Sequence, residues 1–341
     1  MKNIHNLKFI DLFAGIGGIR LGFELAFKKN SSQSLHCVFS SEIDKYAQQS
    51  YQANFNEKPF GDITKIDEKE IDNFDILLAG FPCQPFSNAG LKMGFEDTRG
   101  TLFFDIARII KHHLPKIVFL ENVKGLKSHN KGKTFKVIKN TLEEMGYNVY
   151  DKTLNAKCFG VPQNRERIYI IAFLDNVDFD FPKPIFNNTK VGDILEKNVI
   201  EKYTLSDKLW AGHQRRKQEH LAKGNGFGYS LFDENSSYTS TISARYYKDG
   251  SEILIKQHNK NPRKLTPREA CRLQGFPDNY QITVSDNQAY KQFGNSVCVP
   301  VIEALATQII SSLNKPLKKY KTIELDLFNY NLYENRKVNI G

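Results

Sequence analysis

The sequence predicts an α/β fold that opens as a Rossmann-like unit and carries a second, smaller domain of short strands and loops. Three observations lead there. Phe9-Ile10-Asp11-Leu12-Phe13 is a short apolar strand that runs into Ala14-Gly15-Ile16-Gly17-Gly18 and then an amphipathic stretch from Ile19 to Lys29. That is the strand, glycine turn and helix of a nucleotide-binding βαβ unit. Further apolar runs, at 74–79 and 116–120, read as buried parallel strands separated by a helical stretch. From about residue 185 long apolar runs give way to polar segments and basic clusters such as His213-Gln214-Arg215-Arg216-Lys217.

Composition narrows the class. A chain of 341 residues, 40% hydrophobic and 25% charged, reads as an ordinary globular protein with one large core and a smaller one. Its longest apolar runs fall short of a membrane span, and Met1-Lys2-Asn3-Ile4-His5 is no signal peptide. Five cysteines without a Cys-x-x-Cys pair argue against a disulfide framework and against zinc. No metal is expected, and the compartment expected is the cytoplasm. A net charge of +10 suggests a polyanionic partner.

Taken in order, the glycine turn departs from the dinucleotide fingerprint, because Arg20 stands where a third glycine belongs. This disfavours a pyrophosphate ligand and leaves an adenosyl group without phosphates. The strand at 37–40 ends at Ser41-Glu42-Ile43-Asp44, with Glu42 placed for ribose hydroxyls and Asp44 as a helix cap. Gly61-Asp62-Ile63 supplies a carboxylate at a third strand end, suited to an adenine amino group.

The strand at 74–79 leads to Gly80-Phe81-Pro82-Cys83-Gln84-Pro85-Phe86-Ser87. Two prolines fix φ on either side of the thiol, just beyond a strand's carboxyl end, where open α/β sheets bind ligands. Cys83 is therefore the candidate nucleophile, whereas Cys37 and Cys298 read as small buried hydrophobes. A long glycine-containing loop, 88–101, follows. Next come a helix at 102–112 and a strand ending in Glu121-Asn122-Val123, which brings a carboxylate to the same rim. A helix-capping role for Glu121 stays open at this point.

Arg165, Arg167 and Tyr169 alternate along a strand, so both guanidinium groups share a face. They either pair with acids or donate to an anionic or carbonyl-bearing ligand. In the second region, residues 239–250 read as a strand entering an Asp249-Gly250 turn, with Ile253-Leu254-Ile255 returning as a hairpin. Thr266, Pro267 and Glu269 spell a helix start, and a helix after Pro300 runs to about Leu313.

Together these stretches resemble the DNA (cytosine-5-)-methyltransferases. The resemblance rests on Phe13-Ala14-Gly15-x-Gly17-Gly18, Pro82-Cys83-Gln84, Glu121-Asn122-Val123, Gln163-x-Arg165-x-Arg167 and Gln292-Phe293-Gly294-Asn295-Ser296-Val297, in that order along the chain. It implies a Rossmann-like S-adenosylmethionine-dependent methyltransferase domain with a smaller, mostly β/loop target-recognition domain. The expected divisions are 1–184 (catalytic and cofactor-binding), 185–286 (target recognition), 287–313 (return to the catalytic domain) and 314–341 (tail).

The resemblance also assigns roles. Cys83, Glu121, Arg165 and Arg167 are expected at the reacting base. Phe13, Gly15, Gly17, Glu42, Ile43, Asp62, Ile63, Pro82, Leu102, Asn295 and Val297 are expected around S-adenosylmethionine, whose product is S-adenosylhomocysteine. Ser87, Arg99, Arg245, Tyr246 and Lys248 are the expected DNA contacts. The target cytosine would be flipped out of double-stranded DNA, with the 88–101 loop closing over it. The segments 223–229 and 241–250 are similar to the Dcm-type branch, which implies the inner cytosine of CCWGG or CCNGG and a restriction-modification setting with a cognate endonuclease. A monomer is expected.

Two alternatives belong beside this reading. A transfer-RNA methyltransferase of the same family would be expected to have a much shorter recognition region, and a non-catalytic DNA-binding relative would be expected to lack Cys83 or Glu121. Past Leu313, Ile323-Glu324-Leu325-Asp326-Leu327-Phe328 is similar to the peptide by which bacterial proteins dock on the DNA sliding clamp, with Glu324 in place of the usual glutamine. A tail strand packing on its own domain is the other reading of that segment.

Overall fold

The computed structural model describes residues 6–82, 102–185 and 188–315. Cys83, Ser87, Arg99, the 88–101 loop and the tail segment Glu324 to Phe328 lie outside the described residues.

Six strands form the main sheet: β1 (Asn6–Leu12), β2 (Ser34–Ser41), β3 (Ile76–Gly80), β4 (Ile117–Val123), β5 (Asn148–Asn155) and β6 (Glu166–Phe173). Their spatial order is β2-β1-β3-β4-β6-β5. The first four run parallel, and β6 lies antiparallel to both β4 and β5. From β1 the chain departs to β2 on one side and comes back as β3 on the other. A crevice therefore opens outside the carboxyl ends of β1 and β3, where such sheets bind ligands.

Alternation along the strands builds a core on each face of the sheet. Phe9, Leu78, Phe119 and Ile171 face α1 (Gly18–Asn30) and, from the far end of the chain, α8 (Val299–Leu313). Ile10, Leu77, Val118 and Ile170 face α3 (Leu102–His113) and α4 (Lys133–Glu144). Helix α2 (Lys45–Phe55) follows β2 and is capped by Asp44, which accepts from the Tyr46 and Ala47 amides as the sequence leads one to expect. Gly22 lets α1 and α8 approach closely, since a Cβ there would stand 2.5 Å from Ile302 Cβ. The Asp286–Leu313 stretch has the length and apolarity of a membrane span, yet over half of it is buried within this protein.

The 188–286 region holds α5 (Asp207–Ala222), the sheet β7 (Leu231–Phe232), β8 (Leu254–Gln257), β9 (Lys260–Arg263), and α6 (Pro267–Leu273). A third core, with Ile242, Tyr246, Ile253 and Leu265, also takes in Ile16 and Ala47 beneath the crevice and Phe293 from α7 (Asp286–Asn295). The capping box read from Thr266 and Glu269 is present. Glu269, fully buried, also receives both terminal nitrogens of Arg263, at 2.7 and 2.8 Å.

The hairpin expected at 239–255 does not form. Thr239 makes a single bridge to Gln163 and residues 244–249 are turns, while β8 pairs in parallel with β7 and antiparallel with β9. Ile242 and Tyr246 both enter the core.

Candidate active site

A cavity of about 460 Å³ occupies the crevice, a size typical of small-molecule sites. Ten of the eleven residues expected around an adenosyl ligand line it: Phe13, Gly15, Glu42, Ile43, Asp62, Ile63, Pro82, Leu102, Asn295 and Val297. Gly17 is the exception. Its φ of 78° requires the left-handed region, and a Cβ there would sit 2.1 Å from the Phe55 ring. That glycine serves the turn and the packing of α2, and it stands outside the cavity wall.

The turn itself is tight. Phe13 adopts φ 54°, uncommon for a side chain of its size, and lines the cavity half-buried. Glu42 braces the turn from the tip of β2. One carboxylate oxygen accepts from the Gly15 amide at 2.8 Å and the other from the Asp44 amide at 2.7 Å. Burial pushes the Glu42 carboxyl above the usual range, against those backbone donors.

Asp62 does not sit at the end of a sheet strand. A single bridge, Ser41 to Phe60, carries the chain past the sheet, and Asp62 then caps a 3-10 turn through the Thr64 amide and hydroxyl. The Thr64 donors hold its carboxyl below the usual range. The loop nonetheless brings it to the cavity.

Arg20, the departure from the dinucleotide fingerprint, turns away from the ligand space. It pairs with Glu24 at 2.7 Å and Glu57 at 2.8 Å and donates to the Tyr51 hydroxyl, largely buried beside Phe55.

At the other end of the cavity, strand register assembles the chemistry. Gly80 lies beside Glu121, and Val123 lies beside Arg167 across the antiparallel pair. The Arg167 Nε consequently stands 3.3 Å from Glu121 Oε1, with the two side chains only 17% and 12% exposed. Burial raises the Glu121 carboxyl above its ordinary value, and Arg167 and Arg165 oppose the rise. Such a group can hold a proton or give one up.

Arg165 lines the same cavity but donates to main-chain carbonyls, Ile242 and Gly294 at 3.1 Å and Ser296 at 2.5 Å. Burial, with Arg167 nearby, lowers its guanidinium to about 10, still cationic at neutral pH. It ties the rim together.

Four cysteines are described, at 37, 158, 271 and 298, and none lines the cavity. Burial pushes the Cys271 and Cys298 thiols up to about 12 and the Cys37 thiol higher still, so these three are poor nucleophiles. Pro82, at the cavity wall, immediately precedes Cys83. Asn122 donates from Nδ2 to the Phe81 carbonyl at 2.8 Å and so anchors the backbone leading to that cysteine. The motif containing Asn122 is visible in the sequence, but its hydrogen bond is not. Lys291, paired with Asp44 at 2.6 Å on the cavity wall, carries no sequence signal.

Of the described candidates for DNA contact, Arg245 and Lys248 are exposed. Tyr246 is not available: it is fully buried, its hydroxyl donating to the Ile253 carbonyl and accepting from the Leu265 amide. Its apolar ring completes the third core.

A crevice at the switch point of an open α/β sheet, with a glycine turn on one side and Glu42 at the tip of β2, is the ligand site of an α/β enzyme that takes an adenosyl-bearing cofactor. Comparison with known proteins identifies the family. The description "C-5 cytosine-specific DNA methylase" matches residues 7–311. The chain is 61% identical over 316 residues to the type II methyltransferase M1.ScrFI of Lactococcus lactis subsp. cremoris, covering 91% of this chain and 80% of that one. It is 64% identical over 309 residues to the type II methyltransferase M.NlaX of Neisseria lactamica, covering 90% and 97%. Among solved structures it superposes on the Entamoeba histolytica methyltransferase EhMeth with a TM-score of 0.73 at 24% identity, covering 91% and 99% of the two chains. With the S. pombe Dnmt2 methyltransferase the TM-score is again 0.73 at 20% identity, covering 91% and 100%. These two speak for the fold.

The chain thus belongs to the C-5 cytosine-specific DNA methylase family. It is a DNA (cytosine-5-)-methyltransferase. S-adenosylmethionine, the family's methyl donor, fits the cavity, because Glu42 and Asp62 on its walls offer acceptors to the hydroxyl and amino groups of an adenosyl ligand.

Proposed function

We propose that this enzyme methylates the inner cytosine of CCWGG or CCNGG through a covalent adduct on Cys83, as the modification arm of a restriction-modification system with a cognate endonuclease. The observation that carries the chemistry is the enclosed Glu121–Arg167 pair, beside the backbone that leads into Pro82-Cys83. Carbon 5 of cytosine is a weak nucleophile until something adds at carbon 6, and a thiolate is the side chain best suited to add there. Glu121, its carboxyl raised by burial, holds a proton at ring nitrogen 3 as the adduct gathers electron density. Arg167 keeps that carboxyl in place and contacts the base carbonyl. Arg165 steadies the rim on which both depend.

S-adenosylmethionine supplies the electrophilic methyl group when bound. Phe13, Ile43 and Ile63 would flank its adenine, Glu42 its ribose and Asp62 the adenine amino group. Asn295 would lie toward the methionine end. None of these groups reaches a base inside a duplex, so the target must be extruded. Ser87 and Arg99, outside the described residues, and Arg245 and Lys248 on the recognition side, would contact DNA.

The CCWGG/CCNGG assignment is supported by the likeness of segments 223–229 and 241–250 to the Dcm-type branch. Bisulfite sequencing of mixed genomic DNA treated with the enzyme and methyl donor tests it. Conversion-resistant cytosines should fall at the inner position of those sites, and modification confined to GGCC or GCGC would refute it. For the tail, a clamp pull-down in which Leu327 and Phe328 to alanine changes nothing would remove the docking reading.

A further inference from the structure

The seam between the catalytic rim and the recognition region turns on one buried amide. Residues 162–164 and 239–241 run side by side: the Thr239 amide donates to the Pro162 carbonyl, the Asn164 amide to the Thr239 carbonyl, and the Thr241 hydroxyl to the Asn164 carbonyl. Gln163, fully buried, sits at the centre of this pairing. Its Oε1 accepts from the Ile242 amide at 3.1 Å. A backbone N–H only donates, so that contact fixes which end of the side chain faces the recognition segment.

The Nε2 end then donates to the Leu273 carbonyl and to Gln274 Oε1, each at 3.1 Å, with Cys298 Sγ at 3.6 Å. One side chain thus joins the 239–245 segment, the end of α6 and the start of α8, two residues before Arg165 and four before Arg167. The seam has no slack. A Cβ on Gly294, which lines the cavity, would lie 2.2 Å from the Ser243 carbonyl oxygen. Exposed Arg245 follows directly, its amide donating to Ser243 Oγ.

We propose that Gln163 is a positioning residue for target recognition: it sets the register of residues 239–245 against the cavity rim, and thereby where Arg245 meets the DNA relative to the base held by Glu121 and Arg167. The proposal rests on the reading of Arg245 as a base contact. Gln163 touches neither donor nor base, so its loss should act on discrimination rather than on cofactor binding.

The test uses a pool of duplexes carrying the mapped site and its single-base variants, treated with the full-length enzyme as wild type, Q163M, Q163E, R245A and the Q163M/R245A double variant. Q163M should lower the ratio of site to variant methylation by about tenfold, while S-adenosylmethionine affinity stays within about twofold. With Arg245 already gone, adding Q163M should cost little more, since both act through one element. Q163E supplies a second readout should Q163M not fold. When neutral, its carboxyl can accept from Ile242 and donate once across the seam, whereas its ionised form faces the Leu273 carbonyl and Gln274 Oε1. Its discrimination should therefore be impaired wherever that carboxyl is ionised and improve as it takes up a proton.

A site-to-variant ratio in Q163M within about twofold of wild type would overturn the proposal, as would a loss matched by an equal loss of cofactor affinity. A ratio in Q163E within about twofold of wild type would do the same. If R245A alone leaves the ratio intact, the base-contact assignment of Arg245 falls, and Q163M then decides the seating role by itself.

Discussion

The six-stranded sheet and the 188–286 region hold their working residues by different means. In the sheet, alternating apolar side chains lock the strands, and register then delivers Glu121 and Arg167 to one spot. In the 188–286 region the strands are short, and Arg245 stands on turns pinned through hydrogen bonds to Gln163, Arg165 and the Thr239 backbone. The difference teaches that the Glu121–Arg167 pair rests on packing, whereas the placing of the 239–245 segment rests on a few polar contacts. Changes in the first region should cost rate, and changes in the second should cost selectivity.

The largest effect that would separate the two is at Glu121. Glu121→Gln should lower kcat by about 10²- to 10⁴-fold while leaving site choice unaltered, as measured by methyl transfer on the duplex pool. Because the folded-state carboxyl is raised by burial, wild-type kcat should fall as pH climbs past that raised value, and this alkaline limb should be missing in the variant. A variant that lost selectivity along with rate would blur the distinction.

Asp11 probes the sheet itself. It is buried beneath the glycine turn, accepts from the Tyr51 hydroxyl at 3.3 Å, and has Oδ1 without a partner. Burial raises its carboxyl to about 7, against the pull of Arg20. A raised folded-state value means that the folded protein keeps a proton which the unfolded chain has released. Stability should therefore decline as pH rises from the ordinary carboxylate range to about 7, by up to about 1.4 kcal/mol per pH unit, and level off above it. Denaturant titrations of wild type and Asp11→Asn should differ by that slope. Parallel curves would mean that Asp11 is already ionised.

The smallest effect belongs to Arg245. Arg245→Ala should cost roughly 1–3 kcal/mol of discrimination at one base pair, with kcat on the best site little changed. Uniform weakening across all sequences would make it a phosphate contact instead.

Much of the sheet is legible in the sequence because burial on two faces writes continuous apolar runs, as in Ile76-Leu77-Leu78-Ala79. The crevice residues are legible because the glycine turn after β1 and the acid at the tip of β2 mark where an open α/β sheet binds its ligand. What escapes is whatever depends on a partner distant in the chain. Nothing local tells that Gly17 answers to Phe55, that Asp62 hangs on a bridge from Ser41 to Phe60, or that Gln163 meets Ile242. Tyr246 misleads for a related reason. A tyrosine between Arg245 and Tyr247 reads as surface, while its hydroxyl is satisfied inside the third core by Ile253 and Leu265.

The central claim is a bond between the Cys83 sulfur and carbon 6 of the extruded base, and trapping tests it most directly. Duplex DNA carrying 5-fluorocytosine at the mapped position, incubated with the full-length enzyme and S-adenosylmethionine, should yield a stable protein–DNA adduct whose peptide map places the link at residue 83, and Cys83→Ser should yield none. If the enzyme methylates ordinary cytosine at that site yet forms no adduct with the fluorinated base, the covalent route is wrong.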